Sequence, residues 1–343
     1  MGVRFVGVGE EGSYAQAWST PTQYMDIVSE SITPDQGMID VQTAGYRERR
    51  IRVPGGYKLE GDIELAGVPD DIGTAAYFTL GEHEQTNSAS IYRHLLTPTQ
   101  TLESFRMEIA PAVKDGVNYT ARRCIGGLST GLSFEAVARE ALTATWSVAF
   151  QKDSKSTVTT TTPAFPTGVF KNPLVFYHGA VTFGTYGAEA AVANVEAFRC
   201  NIENNIDTDA FVIGSRFLPG RRLQEITVSG DMDVQFENWD MYKYFYDGTS
   251  TGSTPGDTVT ENSLILTMTG GPTGQAGAFA NFKLVISVPA ITFDTADASF
   301  STRDRIVENL AWNAVFHSAA TWGLTTGYLV GVEVVNGVDI TAL

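Results

Sequence analysis

Gly7-Val-Gly9-Glu-Glu-Gly12 fits the G-x-G-x-x-G pattern with which a backbone turn approaches a pyrophosphate, and it follows a possible strand at Val3 to Val6. That chemistry needs the turn to open a helix whose free amides receive the phosphates. Here Glu10 and Glu11 would repel phosphates, and Pro21 interrupts any helix soon after. Gly127-Leu-Ser129-Thr-Gly131 fits the nucleophile elbow G-x-S-x-G, which works only at a sharp strand-to-helix turn with an acid and then a histidine later in the chain. The stretch after Ser129 reads as more strand, so Ser129 is expected in a loop or at a strand edge.

The remaining reactive side chains are dispersed. His83, His94, His178 and His317 lack the pairing of metal ligands, and each reads as a surface or packing residue, with His83-Glu84 a polar turn after a helix. Cys124 and Cys200 match neither a metal spacing nor a disulfide framework and are expected as buried thiols. The carboxylates offer too many pairs for an acid/base dyad to stand out. No catalytic, cofactor-binding or metal-ligating residue is therefore assigned, and no cofactor is expected. The one dense basic run is Arg47, Arg49, Arg50 and Arg52, with Arg221 and Arg222 roughly placed in the second half. It is either a solvated loop face or an electrostatic contact with a neighbouring acidic subunit.

Acidity is general. The chain carries 39 acidic and 23 basic residues, a formal charge of -16, which argues against gripping nucleic acid through clustered Lys and Arg. A surface that DNA must pass without sticking remains compatible with it, as does plain solubility. No apolar run approaches the roughly 20 residues of a membrane span, and Met1 to Gly12 lacks the pattern of a signal peptide, so a membrane partner is not expected.

The elements that position these residues show an internal duplication. Tyr57-Lys-Leu-Glu-Gly-Asp-Ile-Glu-Leu65 and Ile226-Thr-Val-Ser-Gly-Asp-Met-Asp-Val234 alternate around a shared Gly-Asp. Leu59, Ile63 and Leu65 match Val228, Met232 and Val234 on one face, the pattern of strands with one side in a core. Helix-like stretches follow each, from Pro69 to Gly81 and from Glu237 to Gly248, opened by acidic residues and closed by glycine. Later, Ser133-Phe134, Arg139 and Trp146 to Phe150 parallel Ser299-Phe300, Arg305 and Trp312 to Phe316. An upstream pair, Ile27 to Ile32 with Asn201 to Ile206, matches at a longer offset. Gln151 to Pro173, rich in Thr and Pro, reads as the connecting stretch, which divides the chain into 1-155, a linker 156-173, and 174-343. The polar stretches Thr33 to Pro54, Glu82 to Thr101 and Gly248 to Asn262 read as long assembly loops.

These residues, taken in order, resemble the tail tube proteins of long-tailed bacteriophages. The likeness rests on Ser29-Glu-Ser31, the Gly61-Asp62 strand, the helix closing at Gly81, His94 to Pro98, Leu102 to Ile109 and Cys124 to Leu128, and in the second half on Phe176 to Ala180 and Asn201 to Asn205. It implies a mainly β chain of two tandem β-sandwich or barrel modules, each with one short helix and long loops. Because single-module members form hexameric rings, two modules per chain imply trimers with pseudo-sixfold symmetry, stacked into a tube for genome ejection. It also implies a virion location, assembly in the host cytoplasm, and as partners the chain itself, the tape measure, tail terminator and tail-tip proteins, and double-stranded DNA that passes without specific binding. On that reading Glu60, Asp62, Glu64, Asp231 and Asp233 face the lumen. The alternative is a duplicated β-sandwich that binds a receptor or carbohydrate.

Overall fold

Alternation organises the chain as its sequence predicts. The computed structural model describes residues 4–340 apart from 43, 46, 49–50, 117, 159–162, 164, 166–171, 221, 299–304 and 324–325. Both Gly-Asp segments are strands with Leu59, Ile63, Leu65, Val228, Met232 and Val234 buried and their polar neighbours turned away from the core.

The first half contains β1 (Phe5–Glu10), β2 (Gln23–Met25), β3 (Ile27–Glu30), β4 (Thr33–Asp35), β5 (Ile39–Val41), β6 (Ile51–Val53) and β7 (Lys58–Leu65). The helix α1 (Pro69–Leu80) precedes β8 (Gly81–Ser88), β9 (Ile91–Pro98), β10 (Phe105–Ala110), β11 (Lys114–Asp115), β12 (Asn118–Val137), β13 (Thr143–Phe150) and β14 (Lys152–Thr157). The second half contains β15 (Gly179–Gly184), β16 (Ala190–Ala191), β17 (Val195–Glu203), β18 (Thr227–Gln235) and the helix α2 (Asp240–Asp247). It ends with β19 (Asn262–Pro272), β20 (Asn281–Asp297), β21 (Val307–Ala314), β22 (His317–Thr321), β23 (Thr326–Tyr328) and β24 (Gly331–Asn336). No helix among the described residues is long and apolar enough to cross a membrane.

Two long strands, β12 and β20, each serve two layers. Residues 128–137 of β12 lie between β13 and β17, while residues 120–127 pair with β10 and β14. Likewise residues 291–297 of β20 pair with β21, while residues 283–288 lie between β19 and β24. One layer is therefore a continuous antiparallel sheet in the order β3/β4, β7, β13, β12, β17, β18, β21, β20. Behind it stand β2-β1-β10-β12-β14 in the first half and β16-β15-β19-β20-β24-β9-β8 in the second. This is a layered sandwich. Among the described residues the sheet is open, with edges at β3/β4 and β20, so the barrel half of the sandwich-or-barrel expectation is not met within one chain.

Register explains the repeated glycine. A Cβ on Gly230 would lie 2.0 Å from the Arg199 carbonyl and 2.5 Å from the Trp312 ring, and one on Gly61 would lie 2.6 Å from the Ser31 carbonyl. Neighbouring backbone passes too close at both places for any side chain. Trp146 and Trp312, also paired in the sequence comparison, are fully buried on β13 and β21. Trp146 packs against Phe105 at 4.8 Å and Phe78 at 6.2 Å, while Trp312 packs against Phe198 at 6.2 Å.

Three sequence expectations need correction. Glu82 to Thr101 is not a loop but largely the hairpin β8–β9, which adds to β24 of the second half through pairs such as Leu96 with Val332 and His94 with Val334. Its polar composition belongs to a strand pair at a sheet edge. Gln151 begins no linker, because β14 pairs with β12 from Lys152 onward. The upstream match at a longer offset also dissolves. Ile27 stands opposite Leu65 and Val195 opposite Val234, and each ladder shifts by one residue immediately afterwards, so Ile27 aligns with Val195 rather than Asn201.

The two helices differ. Eleven of the 12 residues of α1 are buried, and none of α2 is. The second half covers α1. Asn336 Nδ2 donates to the Pro69 carbonyl (3.3 Å), the Gly337 amide to Asp70 Oδ1 (2.8 Å), and Asn204 Nδ2 to the Thr79 carbonyl (2.9 Å). Asp71 is fully buried, and neither of its carboxylate oxygens has a hydrogen-bond partner among the described residues. Desolvation, then Asp70 and Asp26, pushes its pKa well above the ordinary carboxylate value, while burial raises that of Asp70 to about 6. A carboxyl whose folded pKa is raised favours the fold most below its unfolded pKa and loses that contribution as pH rises toward the folded value. Asp71→Asn should therefore match the parent near pH 4 and exceed it by about 1–3 kcal/mol near pH 8, as read by urea unfolding across pH.

Candidate functional site

The acidic residues expected on one face are brought together there. Glu60, Asp62 and Glu64 on β7 and Asp231 and Asp233 on β18 all project from the side of the eight-strand sheet opposite the core. Short polar groups fix them. Ser147 Oγ donates to Asp62 Oδ1 (2.6 Å) and Ser29 Oγ to Glu64 Oε2 (2.9 Å). Lys58, next to them, is tied to Asp209 at 2.5 Å.

One residue of this face escaped the sequence reading. Arg199, on β17, sits between the halves and gathers three carboxylates, with Nε 2.8 Å from Glu135 Oε1 and Nη1 2.6 Å from Asp231 and 3.2 Å from Asp233. Its bond to Glu135, opposed by burial, and then its bonds to Asp231 and Asp233 raise its pKa further. Asn309 Nδ2 completes the group, donating to Asp233 Oδ1 (2.6 Å) and Asp231 Oδ2 (3.1 Å). The second half of the face is thus only partly neutralised, with one cation among three carboxylates, while Glu60 and Asp62 stay exposed. The signal in the sequence was an arginine inside an alternating strand, at a position that reads as solvent-facing. Only the tertiary pairing shows which carboxylates it meets.

The basic run is dispersed in its roles. Arg47 is exposed between β5 and β6, and Arg52 on β6 pairs with Asp40 of the same hairpin at 3.4 Å. Arg222 is exposed, and its carbonyl receives the Asp207 amide. Arg49, Arg50 and Arg221 lie outside the described residues. Both regions sit where the connections after β4 and β17 meet. The Tyr57 amide donates to the Arg216 carbonyl (2.7 Å), and the Tyr57 and Phe217 rings pack edge to face at 5.9 Å. Exposed apolar residues crown both connections, including Ile39, Val41, Ile51 and Val53 on the hairpin and Ile213 on the other.

The motifs that suggested chemistry fall in structural places. Gly7 and Gly9 lie within β1, so no helix opens there, and the buried Glu11 accepts the Gly126 and Ala15 amides, both at 2.9 Å. Ser129 lies inside β12 and is buried, with Oγ 2.6 Å from Thr79 Oγ1 and accepting from Trp146 Nε1 at 2.9 Å. Burial pushes both Cys124 and Cys200 up to about 12. The histidines are less scattered than expected. His83, on a strand rather than a turn, reaches His94 at 3.0 Å, and His94 Nε2 meets Asn336 Oδ1 at 2.9 Å. Burial and then His83 lower the His94 pKa to about 4. This pair ties the first-half hairpin to β24. Among the described residues no group of three or more His, Cys, Asp or Glu could hold a metal ion.

Replacing Arg199 with Met keeps the apolar stem and leaves Asp231 and Asp233 facing each other without a cation. The expected loss is about 1 kcal/mol at low ionic strength and less at high salt, measured by urea unfolding at two salt concentrations.

The face therefore combines carboxylates with Ser, Thr and Asn on a continuous sheet whose two outer strands are unpaired on one side among the described residues. No curated protein is significantly similar to the chain. The sequence pattern of the phage tail tube protein family, however, matches residues 3–314, across both halves. With a β-layered architecture beneath that match, the chain belongs to the phage tail tube proteins, structural components of the virion tail.

Proposed function

We propose that three copies of this chain close into a ring, and that stacked rings form the tube through which the genome leaves. One observation carries the reading. The strands at the two edges of the eight-strand sheet stand in the same local surroundings as the two strands joined at its middle. β3 lies beside β7 as β17 lies beside β18, each with the same one-residue shift. Residues 128–137 of β12 lie beside β13 as residues 291–297 of β20 lie beside β21, with Leu132 opposite Trp146 and Phe293 opposite Trp312. The halves are then two copies of one module, and β20 of one chain meets β3 of the next as β12 meets β17. Closing every edge in this way satisfies backbone groups that an open sheet leaves to solvent. Six modules, the number in hexamers of single-module members, require three chains.

In such a ring the carboxylate face lines the channel. Glu60, Asp62, Glu64, Asp231 and Asp233 with their hydroxyl and amide neighbours repel phosphate, and the net charge of -16 acts in the same direction. The apolar and basic connections, with Arg47, Arg52 and Arg222, stand at one end of the sheet and would meet the ring beyond it, a contact to which Arg49, Arg50 and Arg221 of the same basic runs would add charge. Tape measure, tail terminator and tail-tip proteins are the further partners of this assembly, which forms in the host cytoplasm.

The register is specific enough to test. Glu135 stands opposite Arg199 within the chain, and the corresponding pair across the ring is Asp297 with Ser31. A chain carrying Ser31→Cys and Asp297→Cys, mildly oxidised, should give covalent products that stop at three chains on a denaturing gel. Products that extend past three, or no crosslink in assembled material, would refute the closure. For the channel, Glu60→Lys with Asp62→Lys should leave tubes intact and slow DNA release from whole virions; unchanged release would remove these residues from the lumen.

A further inference from the structure

The covering of α1 by the second half has no counterpart over α2 among the described residues. β24 is the strand that packs beside α1, coming so close that a Cβ on Gly73 would lie 2.6 Å from Asn336 Nδ2. β14 holds the same place in the first half that β24 holds in the second, paired antiparallel to the leading part of the long two-layer strand. Nothing among the described residues of the chain brings β14 to α2.

α2 instead presents an aromatic ladder. Trp239, 57% exposed, meets Tyr242 edge to face at 5.0 Å, and Tyr242 meets Tyr246 at 5.4 Å. The corresponding positions on α1 include the small residues Ala75 and Thr79, both buried. The ladder runs beside β20, the edge strand among the described residues. Burial, Tyr246, Glu308 and then Asp297, the last residue of β20, all raise the pKa of the Tyr242 phenol. Glu237 and Asp240 flank the ladder and are exposed, Glu237 accepting from Asn194 Nδ2 (2.6 Å) and Asp240 paired with Lys243 (2.8 Å). On the opposite side of the molecule, β3 shows Val28 at 57% exposure, and β14 shows Lys152 and Lys155. An aromatic, acid-flanked surface thus stands at one edge of the chain and an apolar, lysine-bearing one at the other.

We infer that the Trp239, Tyr242 and Tyr246 face of α2 is the seat of a second copy of this chain, entered by the β3 and β14 side of that copy's first half. The inference rests on the ring reading and adds to it. The seam within a chain is held by amide hydrogen bonds to α1, and the seam between chains by burial of a preformed aromatic platform. Aromatic anchors at the centre of an interface carry a disproportionate part of its affinity. Side chains already stacked on one another lose little further freedom on docking.

Two measurements test it on the full chain. Trp239→Ala with Tyr242→Ala should raise the concentration for half-maximal self-association by about 10–100-fold in sedimentation, with the monomer's unfolding midpoint little changed at these half-exposed positions. Trp239→Phe should restore much of the loss. Hydroxyl-radical labelling, read by mass spectrometry, should modify Trp239 in the monomer and spare it in rings closed through the Ser31→Cys and Asp297→Cys pair. Rings that crosslink while Trp239 stays reactive, or an alanine variant that assembles like the parent, would overturn the inference and leave the ring standing. Self-association that is lost in the alanine variant but gives no crosslink would instead support the α2 seat and refute the proposed register. A parent chain that never self-associates would sink both, as would protection of Trp239 by oligosaccharide and not by assembly.

Discussion

Seven residue pairs between β12 and β17, from Gly131 with Glu203 to Val137 with Ala197, join the two halves into one sheet, and much else depends on that ladder. It sets Arg199 within reach of Glu135 on one side and Asp231 on the other. It carries Asn204 to the end of α1, where its amide satisfies carbonyls of both Thr79 and Ser129. It also leaves the sheet with edges, because an antiparallel sheet that does not close always has two. A strand edge is a row of unpaired donors and acceptors, and proteins commonly cover, charge or distort it. Here β3 ends in Glu30, is followed by Ser31 and has an irregular register, features that suit an edge exposed to solvent.

The parts of this fold that were legible in the sequence are those whose cause is local. Alternation on β7 and β18 needs only one buried face, and a helix opened by acids and closed by glycine needs only its own ends. α1 and α2 accordingly fall within the expected stretches. The face carrying Glu60, Asp62 and Asp231 was legible for the same reason. Arg199 was not, since its role depends on three carboxylates contributed by two other strands. The hairpin β8–β9 was missed because its polar residues face no core of their own half; what makes it a strand pair is β24, more than 200 residues away. The early repeat slid out of register because Asn201 to Ile206 copies the polar pattern of Ile27 to Ile32, whereas the cross-strand partners Leu65 and Val234 decide the alignment.

Patterns that suggested catalysis failed on their surroundings and not on their residues. Gly7 and Gly9 are in a strand, where no helix end is available for a phosphate. Ser129 has the right neighbours in sequence, but it serves as a buried acceptor for Trp146. The two histidines that do meet are spent on a structural contact, with His94 held neutral by burial. The histidine pair fastens one half to the other through His94 and Asn336, which is the work a building block requires.

That fastening occurs twice. β12–β17 joins the halves in one layer, and β24–β9 joins them in the layer behind, separated by about 10 Å, the usual spacing of packed sheets. A single ladder between two bodies is a hinge, free to flex about its own line. Two ladders on separate layers act like the flanges of a beam, because bending must stretch one while compressing the other. Within a chain the joint is therefore stiff in flexion, and any compliance of an assembly under lateral load is left to the joints between chains.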